Sequence, residues 1–172
     1  MNILDYLPGI PDFPKPGILF RDISPLLENS TAFSKSVSML NEIAMRHEYT
    51  HIVAIESRGF IFGSALACLA KKGLVLARKP NKLPLATHRE PYGLEYGSDA
   101  LEIQQTTMPK ESRILLVDDV LATGGTLIAA SKLLDRAGFY VCGAIALLEI
   151  SNLDGRNELK KNNLLFDAVV KT

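Results

Sequence analysis

The run Ile52-Val53-Ala54-Ile55 carries no polar residue at either phase of a strand's two-residue period, and neither does Ile114-Leu115-Leu116-Val117. A strand that is apolar on both faces must be covered on both, which is the situation of a central strand in a parallel sheet. Leu74-Val75-Leu76-Ala77 predicts a second strand of this kind, and residues 141–150 a final one. Segments of helical period lie between them. Phe33, Val37, Leu40 and Ala44 recur at helical spacing in residues 31–47, after the capping candidates Asn29 and Ser30. Residues 60–72 are apolar nearly all round and stop at Gly73, which predicts a buried helix with a glycine just past its end. Residues 126–137 predict another helix, closed by Gly138. Strands alternating with helices predict an α/β fold, a parallel twisted sheet flanked by helices.

The length of 172 residues suits one domain over residues 1–172. Five of the nine prolines fall between Pro8 and Pro25, so residues 1–30 predict an extended or turn-rich arm, a hood that packs Ile18-Leu19-Phe20 on the domain. Residues 78–99 hold three prolines, two glycines and many charges, and predict a long loop of the kind that serves as a lid. Leu101 and Ile103 alternate with polar neighbours, as on an edge strand, while residues 153–172 carry little readable pattern.

Charge narrows the function. Nineteen Lys and Arg balance 19 Asp and Glu, so nothing draws the chain as a whole toward nucleic acid or an anionic membrane. Any anion must be held by local geometry. No apolar run approaches the roughly 18 residues that span a bilayer, and the acidic, proline-broken start does not read as a signal peptide. Cys68 and Cys142 sit in apolar stretches and predict reduced core thiols in a cytoplasmic protein. His47-Glu48-Tyr49-Thr50-His51 matches the zinc-protease string H-E-x-x-H, which works only on one continuous helix. Here it straddles the end of a helix and runs at once into a strand, so the match reads as accidental.

The most informative string is Ile114 to Thr126, ILLVDDVLATGGT. A buried strand ends in two carboxylates, and a small-residue loop then opens a helix. Ligands of open α/β sheets bind beyond the carboxyl ends of the strands, where this loop must lie. Thr123-Gly124-Gly125-Thr126 can turn backbone N–H groups toward one point, and the new helix adds its positive end, which together cradle a phosphate. Asp118 and Asp119 can accept hydrogen bonds from a sugar diol or act near Mg²⁺. Phosphate donors and diol acceptors a few residues apart match a ribose 5-phosphate. The rival phosphate signatures GxxxxGK[ST] and GxGxxG are absent.

This string resembles the binding motif for 5-phosphoribosyl 1-pyrophosphate (PRPP) of the type I phosphoribosyltransferases. The resemblance implies that family's fold, with ribose hydroxyls on Asp118 and Asp119 and the 5′-phosphate on Ala122, Thr123, Gly124, Gly125 and Thr126. Three more segments resemble the adenine-specific members. In FPKPGILFRDISPLL, residues 13–27, the resemblance stacks adenine on Phe20 and has the backbone of Leu19 and Arg21 read its edge. In ESRGFIFG, residues 56–63, it assigns the pyrophosphate to Ser57, Arg58 and Gly59, with Arg78 and Lys82 adding charge. In PYGLEYG, residues 91–97, it places a lid whose Glu95 meets the purine N7 and takes a proton, with Gly93 and Gly97 as hinges. Enzymes of the family for 6-oxopurines usually carry an acid just before Thr-Gly, whereas this chain has Ala122.

The resemblance therefore implies transfer of the phosphoribosyl group from PRPP to adenine. It implies Mg²⁺ held through PRPP rather than by protein ligands, and a homodimer with Arg78 near the partner's site. Two other readings stay open on the sequence: an enzyme for another purine, and a non-catalytic PRPP-sensing regulator.

Overall fold

The structure is a computed structural model that describes residues 1–92, 99–105 and 108–172. A 3-10 turn (Ile3–Tyr6), β1 (Gly9–Pro11), β2 (Leu19–Arg21) and α1 (Ser24–Glu28) form the arm. There follow α2 (Ser30–Ala44), β3 (His51–Ile55), α3 (Gly59–Ala70), β4 (Gly73–Ala77), β5 (Thr87–Pro91) and β6 (Ala100–Gln104). The chain continues with β7 (Arg113–Leu121), α4 (Gly125–Arg136), β8 (Tyr140–Glu149), a 3-10 turn (Ser151–Leu153), α5 (Gly155–Lys161) and β9 (Phe166–Lys171).

The main sheet runs β4-β3-β7-β8-β9, parallel throughout. Its period-two alternation separates two apolar layers. Val53, Leu116 and Ala146 point to a layer completed by α4 and β6 through Leu127, Leu133 and Ile103. Ile52, Leu115 and Ile145 point to the other, completed by α2, α3 and the arm through Leu40, Phe62 and Leu7. After β4 the chain returns past β3 to build the opposite half of the sheet, so order reverses between β3 and β7. A crevice at such a reversal, beyond the carboxyl ends of the strands, is where ligands of open α/β sheets bind.

Several local expectations are corrected. Gly73 does not close α3; Lys71 does, in the left-handed region at φ 53°. Gly73 instead opens β4 beside the His51 ring, where a Cβ would stand 2.3 Å from a ring carbon. Cys68 is exposed on α3, and so are Ile61 and Leu69, so this apolar helix keeps one uncovered face. Residues 87–91, expected as loop, pair as β5 with β6 in an antiparallel hairpin, and Ala100 to Ile103 are all buried rather than alternating. The hairpin lies against α4, where Arg136 Nη1 sits 2.5 Å from the buried Glu90 Oε2. β7 does not end at the acid pair but runs on through it to Leu121. α2 ends at Ala44 and His51 begins β3, so the two histidines of the H-E-x-x-H string share no helix.

The tail, opaque in the sequence, supplies α5 and the edge strand β9. Arg156 ties them to β8: its Nε and Nη2 fork onto Glu149 at 2.8 and 2.5 Å, and its Nη1 donates to the Phe166 carbonyl at 2.9 Å. Those hydrogen bonds hold the Glu149 carboxyl below the usual range, against the pull of burial. A lowered carboxyl stabilises the fold above the unfolded pKa of about 4.3, and that contribution is lost as pH falls through the folded value. Arg156→Ala is expected to cost about 1–3 kcal/mol at neutral pH, between an exposed and a fully buried pair. A thermal melt should show the deficit at pH 7 and a smaller one in acid. Among the described residues no helix is long and apolar enough to cross a membrane.

Candidate active site

Two loops flank the crevice at the reversal point, one after β3 and one after β7. Each opens a helix that lacks a side-chain cap: Arg58 precedes α3 and Gly124 precedes α4, and neither helix start receives a side-chain hydrogen bond. By contrast, Asn29 caps α2 by accepting from the Ala32 N–H at 2.9 Å. Uncapped first-turn N–H groups beside an open crevice are donors waiting for an anion. Thr123 is thus not a structural cap; it is exposed, as is Gly125. Gly124 adopts φ +88°, which a side chain resists, and it is buried against Gly155. Gly155 in turn leaves so little room that a Cβ would fall 2.1 Å from the Ala122 carbonyl oxygen. The start of α5 therefore holds the glycine loop from behind.

Asp118 and Asp119 are both buried, not solvated at a strand exit. Asp118 Oδ1 accepts from the Asp119 backbone N–H at 2.8 Å. Burial, and then the neighbouring Asp119 charge, push the Asp118 carboxyl well up. Burial also raises Asp119, but Arg58 opposes this with its Nη2 at 2.6 Å from Asp119 Oδ2. Two adjacent carboxylates, kept out of water and only partly neutralised, are poised to accept from hydroxyl donors.

The arm closes the crevice from one side. Phe20 sits on β2, held edge-on to Phe13 with ring centroids 5.1 Å apart. Leu19, Phe20, Arg21, Arg58, Asp119 and Ala122 line one cleft of about 710 Å³. Three regions far apart in sequence thus reach one ligand-sized space. Ser57 and Gly59 flank Arg58 at the same strand end; Ser57 is exposed and Gly59 buried, with room for a Cβ refused by the Val117 carbonyl and Asp118. Arg78 and Lys82 do not line this cleft. The Arg78 guanidinium is engaged by Glu56, Nε to Oε2 at 3.2 Å, and donates to the Lys82 carbonyl at 3.2 Å. Glu95 lies outside the described residues.

Some of the site had no sequence signal. Ile150, Leu153 and Thr172 also line the cleft, the last two from the unreadable tail. Tyr92, at the end of the β5 stem, lies beside the Thr126 side chain, and burial pushes its phenol up. No spacing in the sequence links a residue at 92 to one at 126.

Comparison with known proteins fits this geometry. The sequence matches the phosphoribosyl transferase domain family over residues 25–164. It is 67% identical over 172 residues to the adenine phosphoribosyltransferase of Polynucleobacter necessarius subsp. necessarius (strain STIR1), covering 100% of both chains. A solved adenine phosphoribosyltransferase from Thermoanaerobacter pseudethanolicus superposes with a TM-score of 0.93 at 42% identity, over 99% of this chain and 98% of that one. The Saccharomyces cerevisiae adenine phosphoribosyltransferase, solved with an imino-altritol bisphosphate and adenine, gives a TM-score of 0.89 at 35% identity, covering 98% and 96%.

Proposed function

The chain belongs to the phosphoribosyl transferase family, and we propose that its cleft joins adenine to the phosphoribosyl group of PRPP, giving AMP and pyrophosphate. One observation carries the reading. At the reversal point of the sheet, Asp119 of a buried acid pair and Ala122, just before an uncapped helix start, line one cleft with Phe20 of the arm. These are the three recognition elements a nucleoside monophosphate needs. Asp118 and Asp119 take the ribose hydroxyls, and the turn from Ala122 to Thr126 takes the 5′-phosphate. Phe20 stacks the purine, a contact worth about 1–3 kcal/mol per base. Leu19 and Arg21 match the donor amine and acceptor nitrogen of its edge.

The reaction forms a bond from a purine nitrogen to C1′ as the C1′–oxygen bond to pyrophosphate breaks. Negative charge departs with the leaving group, and Arg58, Ser57 and the Gly59 N–H at the start of α3 receive it. Arg78 and Lys82 add charge from the next strand end. Attack through one purine nitrogen acidifies the proton on the other, and Glu95 accepts that proton. Among the described residues no group of three or more His, Cys, Asp or Glu could hold a metal ion. A Mg²⁺ held through PRPP would neutralise charge on the leaving pyrophosphate.

Mixing adenine, PRPP and Mg²⁺ with the protein should release pyrophosphate and form AMP. Guanine, hypoxanthine and xanthine should react far more slowly. No product with any base would sink the assignment and favour a PRPP-sensing regulator. The buttress behind the phosphate loop gives a second check. Gly155→Ala must push Ala122 aside, so KM for PRPP is expected to rise about tenfold while KM for adenine stays close to wild type.

We further propose that the chain acts as one catalytic domain with residues 1–30 as its hood and a lid within residues 78–99. Partly exposed Ile61, Leu69 and Leu74 on α3 and the edge strand β4 support a homodimer, which light scattering would measure. The two free thiols accord with a cytoplasmic setting.

A further inference from the structure

Arg58 makes three contacts at once, and each lies on a group assigned above to a substrate. Its guanidinium carbon stands 4.8 Å from the centroid of the Phe20 ring. Its Nη1 donates to the Arg21 carbonyl at 3.4 Å. Its Nη2 meets Asp119 Oδ2 at 2.6 Å. A guanidinium is flat, stacks on aromatic faces and carries a fan of donors. It therefore satisfies the same partners as the adenine ring, its exocyclic amine and a ribose hydroxyl. The side chain is part-buried rather than waving in solvent, at 31% exposure, and its carboxylate partner is at 8%. All three partners line the one cleft, together with Arg58 itself.

We propose that Arg58 is a built-in occupant of the base site, drawn off Phe20, Arg21 and Asp119 by the oxygens of pyrophosphate, so that one guanidinium couples the base and pyrophosphate sites. The inference rests on the assignment of Phe20 and Arg21 to adenine and of Arg58 to pyrophosphate. While Arg58 lies over Phe20, adenine binds only to the fraction of molecules in which it has left, and apparent affinity falls by that fraction. Pyrophosphate offers more anionic oxygens than Asp119 does, and the flexible side chain can serve only one site at a time. By linkage, whatever factor pyrophosphate adds to adenine binding, adenine adds to pyrophosphate binding. The contact also pairs the buried Asp119 carboxylate, and it ties the arm to the site through the Arg21 carbonyl.

Calorimetric titration of adenine, with and without saturating inorganic pyrophosphate and Mg²⁺, tests this on the intact protein. Wild type is expected to bind adenine roughly five- to tenfold more tightly when pyrophosphate is present, within the usual range of such couplings. Arg58→Ala is expected to bind adenine alone more tightly than wild type by a similar factor, and to gain nothing further from pyrophosphate. Arg58→Gln, which keeps the bulk near Asp119 without the charge or the planar fork, should fall between them. Equal adenine affinity in wild type with and without pyrophosphate would overturn the coupling, even if both variants failed to fold. So would an Arg58→Ala protein that melts normally yet binds adenine no better than wild type. AMP formation by wild type separates the two levels: if AMP forms while the affinities are unlinked, only this inference fails. If no AMP forms, the functional reading fails and takes this one with it.

Discussion

Asp118→Ala is expected to weaken PRPP binding by roughly one to two orders of magnitude, and Asp118→Asn to raise the melting temperature of the protein. The two results share one cause. A charge-assisted hydrogen bond contributes about 1.5–3 kcal/mol, so deleting the acceptor for a ribose hydroxyl costs that much affinity. The same carboxylate is buried and faces another carboxylate at the next residue. Its pKa is raised in the folded state, so the folded protein holds a proton more tightly than the unfolded chain does. Stability therefore falls as pH rises from the unfolded value of about 4 through the raised one, so burying this titratable group costs stability above about pH 4. Asparagine keeps the oxygen that accepts from the Asp119 N–H and removes the titratable carboxyl. A gain of about 1 kcal/mol corresponds to roughly 2–4 °C in a chain of this size. The gain should vanish below about pH 4, where both states of the wild type are protonated. Calorimetric PRPP affinity together with melts across pH checks both arms. Unchanged PRPP affinity in Asp118→Ala would remove the diol contact from the account.

Glu95→Ala is expected to lower turnover by about 10²–10⁴-fold, the range of a positioned general base, while PRPP affinity stays near wild type. The split matters more than the size. A proton acceptor for the purine acts after the ribose and phosphate are seated, so its loss should appear in kcat rather than in PRPP binding. The structure supports the need for such a group by what it places in the cleft. Ala122 lines it where an acid would otherwise stand. Among the described residues that line it Asp119 is the one side-chain carboxylate, and it is assigned to the ribose hydroxyls. Steady-state rates with a parallel PRPP titration decide the matter; unaltered turnover would remove Glu95 from the mechanism.

The two apolar strands at 52–55 and 114–117 made the sheet legible, because burial on both faces leaves no other arrangement for such runs. The glycine turn made the phosphate cradle legible, since a strand followed by Thr123-Gly124-Gly125-Thr126 combines close backbone approach with a helix start. Where the reading slipped, non-local pairing had overridden local pattern. Lys71 adopts the left-handed cap because Gly73 is needed flat against the His51 ring. β7 continues through Asp118 and Asp119 because β8 pairs with it as far as Leu121. The hairpin strand β5 has a charged, proline-ended sequence that only its partner β6 and helix α4 turn into a strand.

By itself, then, the order of residues determined the layers of the fold and the chemistry available at each strand end. Those depend on side-chain period and on backbone freedom over a few neighbouring positions. Which strand ends meet, and what each side chain touches there, was decided only in three dimensions. The tail reaches the cleft through Leu153 and Thr172, Gly155 buttresses Ala122, and Arg58 lies across Phe20, Arg21 and Asp119. Each of these joins residues more than 30 positions apart in sequence, and no local preference encodes a contact whose existence depends on the packing of everything between.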